Sequence, residues 1–183
     1  STFYTNPRTD DMKKDASGGS DPWDTDKYLN IWVGETMASG SGGYSYYPGT
    51  APLQSREGIV IRSGQLGNSI SHEVGHFLNL PHTWGNSNNP GLASNCGMDD
   101  GVADTPLTLG NTDCNNTAII NCGSLDNVQN YMDYSGCTRM FTENQKTRMH
   151  AALNNSAGSR NTLWTPANLV ATGVANPYTT PIC

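Results

Sequence analysis

Three of the chain's four histidines fall within one short run, His72-Glu73-Val74-Gly75-His76-Phe77-Leu78-Asn79-Leu80-Pro81-His82, and few local folds satisfy it. On an α-helix, residues four apart lie about 40° apart around the axis and about 6 Å along it, so His72 and His76 aim two imidazoles at one spot. Glu73 is offset around the helix, where it reaches a water at that spot rather than the spot itself. His82 comes six residues after His76, and a continuing helix would carry it away. The helix must therefore end. Asn79 enters the left-handed region at modest cost, and Pro81 disfavours helical geometry at Leu80. Three converging imidazoles are the ligand set of a Zn²⁺ ion that keeps its fourth position for water, with Glu73 placed as the general base.

Further along stands Asn127-Val128-Gln129-Asn130-Tyr131-Met132-Asp133-Tyr134, and between the two runs lies Asp99-Asp100-Gly101-Val102-Ala103-Asp104-Thr105-Pro106. With these, the chain resembles the metzincin metalloproteases, whose H-E-x-x-H-x-x-G-x-x-H signature is followed by a methionine-containing turn. More narrowly it resembles the pappalysin family, with similar wording at 26–33 and 140–149. Asn79 replaces the signature's glycine, a substitution that its tolerance of the left-handed region accommodates. The resemblance implies a secreted zinc endopeptidase with protein or peptide substrates. Its fold would be α+β and metzincin-like: a twisted mixed sheet and an active-site helix above a cleft, then an irregular, disulfide-linked lower part with a C-terminal helix. One catalytic domain would span 1–183, its upper part about 1–82 and its lower part about 83–183. Met132 would be the methionine beneath the metal and not a ligand, and Tyr134 the hydroxyl that donates to the oxyanion. The resemblance also favours the pairs Cys96–Cys122 and Cys114–Cys137.

Asp99, Asp100 and Asp104, with Thr105, offer hard oxygens at short spacing in an irregular loop. That suits Ca²⁺ better than zinc, and some pappalysin relatives bind calcium here; the plainer reading is a solvated acidic loop. The net charge of −6 disfavours a nucleic-acid partner, which calls for a basic face. No apolar run approaches the roughly 20 residues of a membrane span. Only 35% of the residues are hydrophobic and 14% charged, with 20 glycines and 10 prolines, so loops held by crosslinks and ions are expected around one core.

None of the five cysteines forms a C-x-x-C pair, so disulfides in an oxidising compartment are the better account. The first four allow three pairings. Cys183 is left over, which points to a partner outside an otherwise monomeric chain. The first residues are polar and turn-rich, without a signal peptide or initiating methionine, and read as a processed product. No amphipathic helical period precedes Tyr28. The first strand and backing helix of metzincins are therefore expected to be missing, with Cys183 as their former link; the alternative is a divergent N-terminus with a short helix over 10–16.

Strands are predicted at 27–33 and 58–62, the second with Ile59, Val60 and Ile61 buried on both faces. An edge strand is predicted at 42–48. In metzincins the edge strand over the cleft pairs with the substrate backbone, so the resemblance implies that Gly43, Tyr44, Ser45, Tyr46 and Tyr47 hold a peptide by strand addition, against the alternative of an ordinary hairpin. The active-site helix is expected to start at an Asn68 or Ser69 cap and to stop near Leu80. Thr142-Glu143-Asn144-Gln145 reads as the capping box of a second helix that carries His150 away from the zinc run. Residues 158–183 are expected to lack regular structure. Asn115 and Asn154 are glycosylation acceptors if the source is eukaryotic. Relatives that cut beside basic residues carry an aspartate between the methionine turn and the next cysteine; here Ser135-Gly136 is uncharged, so a broad or apolar preference is expected. No Gly-x-Ser-x-Gly elbow supports a serine mechanism. A zinc-binding module without proteolysis is disfavoured by the intact Glu73 and Tyr134, and a hydrolase of small amides by the edge strand.

Overall fold

Ile59, Val60 and Ile61 are completely shielded from solvent, and the strand they form organises the molecule. In the computed structural model, which describes residues 4–5, 10–37 and 40–175, β1 (Tyr4–Thr5), β2 (Ile31–Gly34), β3 (Thr36–Met37), β4 (Gly43–Ser45) and β5 (Ile59–Arg62) precede the first α-helix. β5 is the centre of a mixed sheet. β2 pairs with it in parallel, Trp32 opposite Val60, and β4 pairs antiparallel on the other side, Tyr44 opposite Val60. Alternate side chains of β5 serve different cores, as the period of two requires. Val60 packs with Met12, Trp32 and Met37 on one face, and Ile59 and Ile61 pack with Phe77 and Leu78 on the other. That explains the unbroken apolar run. β1 and β3 form a separate parallel pair.

The strand expected over 27–33 begins only at Ile31. The amides of Lys27 and Tyr28 both donate to the Asp24 carbonyl, at 2.9 Å each, and this turn withdraws residues 24–28 from any ladder. The edge strand is likewise shorter than 42–48, ending at Ser45.

α1 (Leu66–Phe77) starts ahead of the expected Asn68 or Ser69 cap. A 3₁₀ turn at Ser63–Gln65 leads directly into it, so the helix is entered without a side-chain cap. Its end follows expectation. Asn79 has φ 72°, the Leu80 amide donates to the Gly75 carbonyl at 2.9 Å and the Asn79 amide to the His76 carbonyl at 2.9 Å. This is the double bond of a Schellman stop, with asparagine as the left-handed residue.

β6 (Ile120–Asn121) and β7 (Ser124–Leu125) make a hairpin within long loops. Those loops are tied by disulfides Cys96–Cys122 and Cys114–Cys137, whose closure of 23- and 26-residue separations removes about 3 kcal/mol each of denatured-state entropy. α2 (Glu143–Leu153) has the expected capping box: the Thr142 hydroxyl accepts from the Gln145 amide and the Gln145 side chain accepts from the Thr142 amide.

Residues after 157 contradict the expectation of irregular chain. A 3₁₀ segment, Ala157–Thr162, leads to α3 (Pro166–Ala171), where Thr165 caps the Asn168 amide and proline occupies the first turn. Asn168 anchors this end to the Lys27 carbonyl at 3.0 Å. Residues 10–16 form two 3₁₀ turns, Asp11–Lys13 and Asp15–Ser17, instead of one short helix. Cys183 lies outside the described residues. His150 is exposed on α2, and Asn115 and Asn154 are exposed as well. Among the described residues no helix is long and apolar enough to cross a membrane.

Candidate active site

α1 and its left-handed stop bring His72, His76 and His82 together. Their ring nitrogens lie within 4.8 Å of one another, and among the described residues no other such group of histidine, cysteine or acidic side chains forms. All three rings are buried. Each Nδ1 faces a main-chain carbonyl: His72 that of Tyr131 at 2.7 Å, His76 that of Leu80 at 2.7 Å, and His82 that of Ser87 at 2.9 Å. A carbonyl only accepts, so Nδ1 carries the proton in each ring and Nε2 is left as a lone pair. Burial, with the neighbouring imidazoles, holds His72 well below its ordinary pKa, and burial first of all takes His76 to about 4 and His82 to about 3. All three are therefore neutral near pH 7. The Nε2 atoms of His76 and His82 are 3.2 Å apart; two ligands at 2.0–2.1 Å from a tetrahedral zinc would be about 3.3 Å apart. The residues present fit that ion.

Glu73 lies one position along α1 from the first ligand and is buried, with Oε2 lacking any hydrogen-bond partner. Burial pushes its carboxyl up to about 8, and a cation held by the histidines would pull it back. A Cβ on Gly43 would sit 2.9 Å from the Val60 carbonyl oxygen and 3.0 Å from Glu73 Oε1. Only glycine fits there. A cleft of about 800 Å³ runs between β4 and the methionine turn, with Gly43, Ser45, Tyr47, Glu73, the three histidines and Tyr134 in its wall. Tyr47 meets His76 edge-on at 5.5 Å. Of the five β4-region residues expected to face substrate, Tyr44 also lines the cleft, but its hydroxyl and that of Tyr46 turn the other way, onto the buried Asp10, because successive side chains of a strand alternate.

Met132 is fully buried under α1. Gly75, on the helical turn between the first two histidines, leaves it room: a Cβ there would overlap Met132 Sδ. Tyr134 places its hydroxyl 3.0 Å from His82 Nε2, at the mouth of the three-nitrogen cluster. Several supporting residues carry no sequence signal of their own. Trp84 stacks on His82 at 4.6 Å, tilted by 8°, and its indole N–H donates to the Ser87 carbonyl that also holds His82. Arg148, on α2, donates to the Asn79 carbonyl at 2.7 Å and thereby braces the turn that delivers His82. A tryptophan two residues after His82 was the one available hint.

The acidic loop does not gather its aspartates at one point. Both Asp104 oxygens are engaged at the start of α2, by the Thr142 hydroxyl at 2.6 Å and the Asn144 amide at 3.0 Å. Asp100 Oδ1 accepts from the Thr105 hydroxyl at 2.7 Å and the Val102 amide at 3.0 Å. Asp99 accepts from the Gly101 amide. Asp100 Oδ2 is buried without a partner.

A family model described as pregnancy-associated plasma protein-A, Peptidase_M43, matches residues 12–154. The chain belongs to this family. Similar proteins include the extracellular metalloprotease of Arthroderma otae, 33% identical over 141 residues, and that of Sordaria macrospora, 32% identical over 150 residues. The matches cover 68% and 71% of this chain, and 50% of each relative. The chain thus spans about half the length of the curated relatives it matches. Among solved structures, mature mirolysin of Tannerella forsythia in complex with a cleaved peptide aligns with a TM-score of 0.79 and 28% identity, over 95% of this chain and 68% of mirolysin. The expected metzincin-like α+β fold is shown by that match, and a three-histidine site in this metalloprotease family implies zinc.

Proposed function

We propose that residues 1–183 form one catalytic unit of an extracellular zinc endopeptidase that hydrolyses peptide bonds with water. The observation that carries this reading is the set of three neutral Nε2 lone pairs beside the buried Glu73 carboxyl, whose Oε2 has no hydrogen-bond partner. His72, His76 and His82 would hold the zinc, which when bound polarises the scissile carbonyl and lowers the pKa of a coordinated water to about 7. Glu73 takes the proton of the attacking water and passes it to the leaving amine. Tyr134 donates its hydroxyl to the developing oxyanion; burial raises its pKa to about 12, so the hydroxyl keeps its proton through the working range. Met132 supports the histidines from below without ligating. β4, at the outer edge of the sheet, offers its free side to an extended peptide, and this open groove favours a peptide over a small amide.

The extracellular naming of the relatives and the two disulfides support secretion. The sheet and α1 form the upper part, to about residue 82, and the methionine turn and loops the lower part. On β2, Ile31 and Val33 are 43% and 47% exposed, which favours this edge as the seat of a further strand and backing helix. The absence of charge at Ser135-Gly136 supports a broad or apolar cleavage preference. A Ca²⁺ ion is proposed at the acidic loop of Asp99, Asp100, Asp104 and Thr105, where the buried Asp100 Oδ2 is the oxygen without a hydrogen-bond partner.

Casein digestion by metal-replete protein tests the reading. A chelator should abolish it, Zn²⁺ should restore it, and Glu73→Ala should lower turnover by about 10²- to 10⁴-fold while leaving one zinc per chain. A protein that binds zinc through these histidines and never cleaves a peptide would refute it.

A further inference from the structure

Asp10 is fully buried, and so, to within 2%, is Lys13. The carboxylate accepts from the Tyr44 hydroxyl on Oδ1 and from the Tyr46 hydroxyl on Oδ2 at 2.8 Å. Lys13 Nζ stands 3.4 Å from Oδ1, donates to the Arg56 carbonyl at 2.6 Å, and sits about 5 Å from the ring centres of Trp32, Tyr44 and Tyr46. Arg56 adds a second, longer ion pair at 3.8 Å. Burial lowers Lys13 to about 8, a sign of how much hydration this cluster has lost. Burying charges is costly, and a well-packed apolar replacement is often no less stable. The arrangement therefore calls for an account in terms of what it positions.

Tyr44 and Tyr46 are two residues apart, so they leave β4 and its extension on one face, and both end on the same carboxylate. The opposite face carries Gly43, Ser45 and Tyr47 into the cleft. Among the described residues β4 pairs over only three residues and with β5 alone, and so short a ladder opens readily. Its placement matters, because Gly43 lies against Glu73. Two hydroxyls clamped by one carboxylate fix both the height of the strand over the cleft and its slide along it.

We propose that Asp10 is the positioning residue of the substrate-binding strand, holding β4 at its set distance from Glu73 through the hydroxyls of Tyr44 and Tyr46. The proposal rests on the reading of β4 as the strand that pairs with substrate. Asp10 touches neither peptide nor metal and acts through the two tyrosines.

The test uses the full metal-loaded chain, with Asp10→Asn and the double variant Tyr44→Phe/Tyr46→Phe, which keeps both rings. Two readouts are taken: amide hydrogen exchange in β4 and in α2, and kinetics on a peptide long enough to pair along β4 and on a short blocked substrate ending beside the scissile bond. Exchange in β4 should quicken by about tenfold while α2 is unmoved, and KM for the long peptide should rise by about tenfold with kcat and the short substrate little changed. Unchanged exchange in β4 would overturn the anchor. Quicker exchange with an unmoved KM would instead show that β4 does not hold substrate, and so would overturn both the proposal and that part of the reading beneath it. Equal losses on the two substrates would reduce Asp10 to a stability residue. Should Asp10→Asn fail to fold, Tyr46→Phe, which keeps the Tyr44 bond, carries the same comparison with a smaller shift in the same direction.

Discussion

Gly75→Ala sets two physical effects against each other at the centre of α1. Alanine in a helix interior is favoured over glycine by about 1 kcal/mol, so a propensity argument predicts stabilisation. The structure predicts the opposite. The new Cβ would overlap Met132 Sδ and lie 3.3 Å from Met132 Cε and 3.4 Å from Phe141 Cε1. Met132 is wholly enclosed, and its sulfur would have to retreat by more than about 1 Å to regain ordinary contact. Overpacking of this kind costs about 1–3 kcal/mol, and the fully enclosed site argues for the upper end. The net expectation is a loss of about 2 kcal/mol, or roughly 4–8 °C in Tm for a domain of this size. Thermal unfolding followed by circular dichroism measures it. In a Met132→Ala background the obstruction is gone, and Gly75→Ala should then be neutral or stabilising by up to about 1 kcal/mol. An unchanged or higher Tm in the wild-type background would show that the methionine turn does not constrain this helix.

Tyr134→Phe should lower kcat by about 10²-fold with little change in KM, as expected for a donor used only in the transition state; an equal effect on KM alone would remove it from the chemistry. Glu57 and Arg160 form a buried pair at 2.7 Å, and Arg160 also donates to the Phe77 carbonyl at the end of α1. Glu57→Ala should cost about 3–5 kcal/mol in urea unfolding because it strands the guanidinium, whereas replacing both partners with methionine should cost much less. Burial raises Asp100 from 3.8 to about 6. Between those values the unfolded chain has already released the proton that the folded chain retains, so this group lowers stability as pH rises through about 4 to 6, and the penalty is complete above that window. Ca²⁺ should offset it, raising Tm at about pH 7.5 but not at about pH 4.5. Asp100→Asn should remove the effect, and a Ca²⁺ response indifferent to that substitution would refute the site.

The zinc run was legible because its demands are local: a spacing of four fixes two imidazoles on one helix face, and Asn79 with Pro81 fixes the stop. The capping box at Thr142 and the buried run at Ile59 to Ile61 were legible for the same reason. The start of α1 was not, since a 3₁₀ turn enters it without any capping side chain. α3 was missed although Thr165-Pro166 is a start signal, because so short a helix shows no apolar period. The direction of Tyr44 and Tyr46 could have been read from strand alternation once Gly43 was assigned to the cleft. Asp10 and Arg148 could not: each acts across a long separation in sequence, and an isolated acidic or basic residue leaves no pattern; Trp84 is local to His82, but a lone tryptophan does not say which ring it stacks on. The disulfide partners came from the family resemblance alone, since four cysteines admit three connectivities.

The carbonyls that hold the three imidazoles belong to Leu80, Ser87 and Tyr131, and the last of these is 59 residues from its histidine. In a half-made molecule His76 and His82 already have their local carbonyls, while the ring of His72 still lacks the one that aims it. Tight capture awaits the left-handed stop and the docking of the methionine turn. Loading with zinc would then report that assembly is finished, so the chain acquires its reactive centre last, after the parts that confine it are in place.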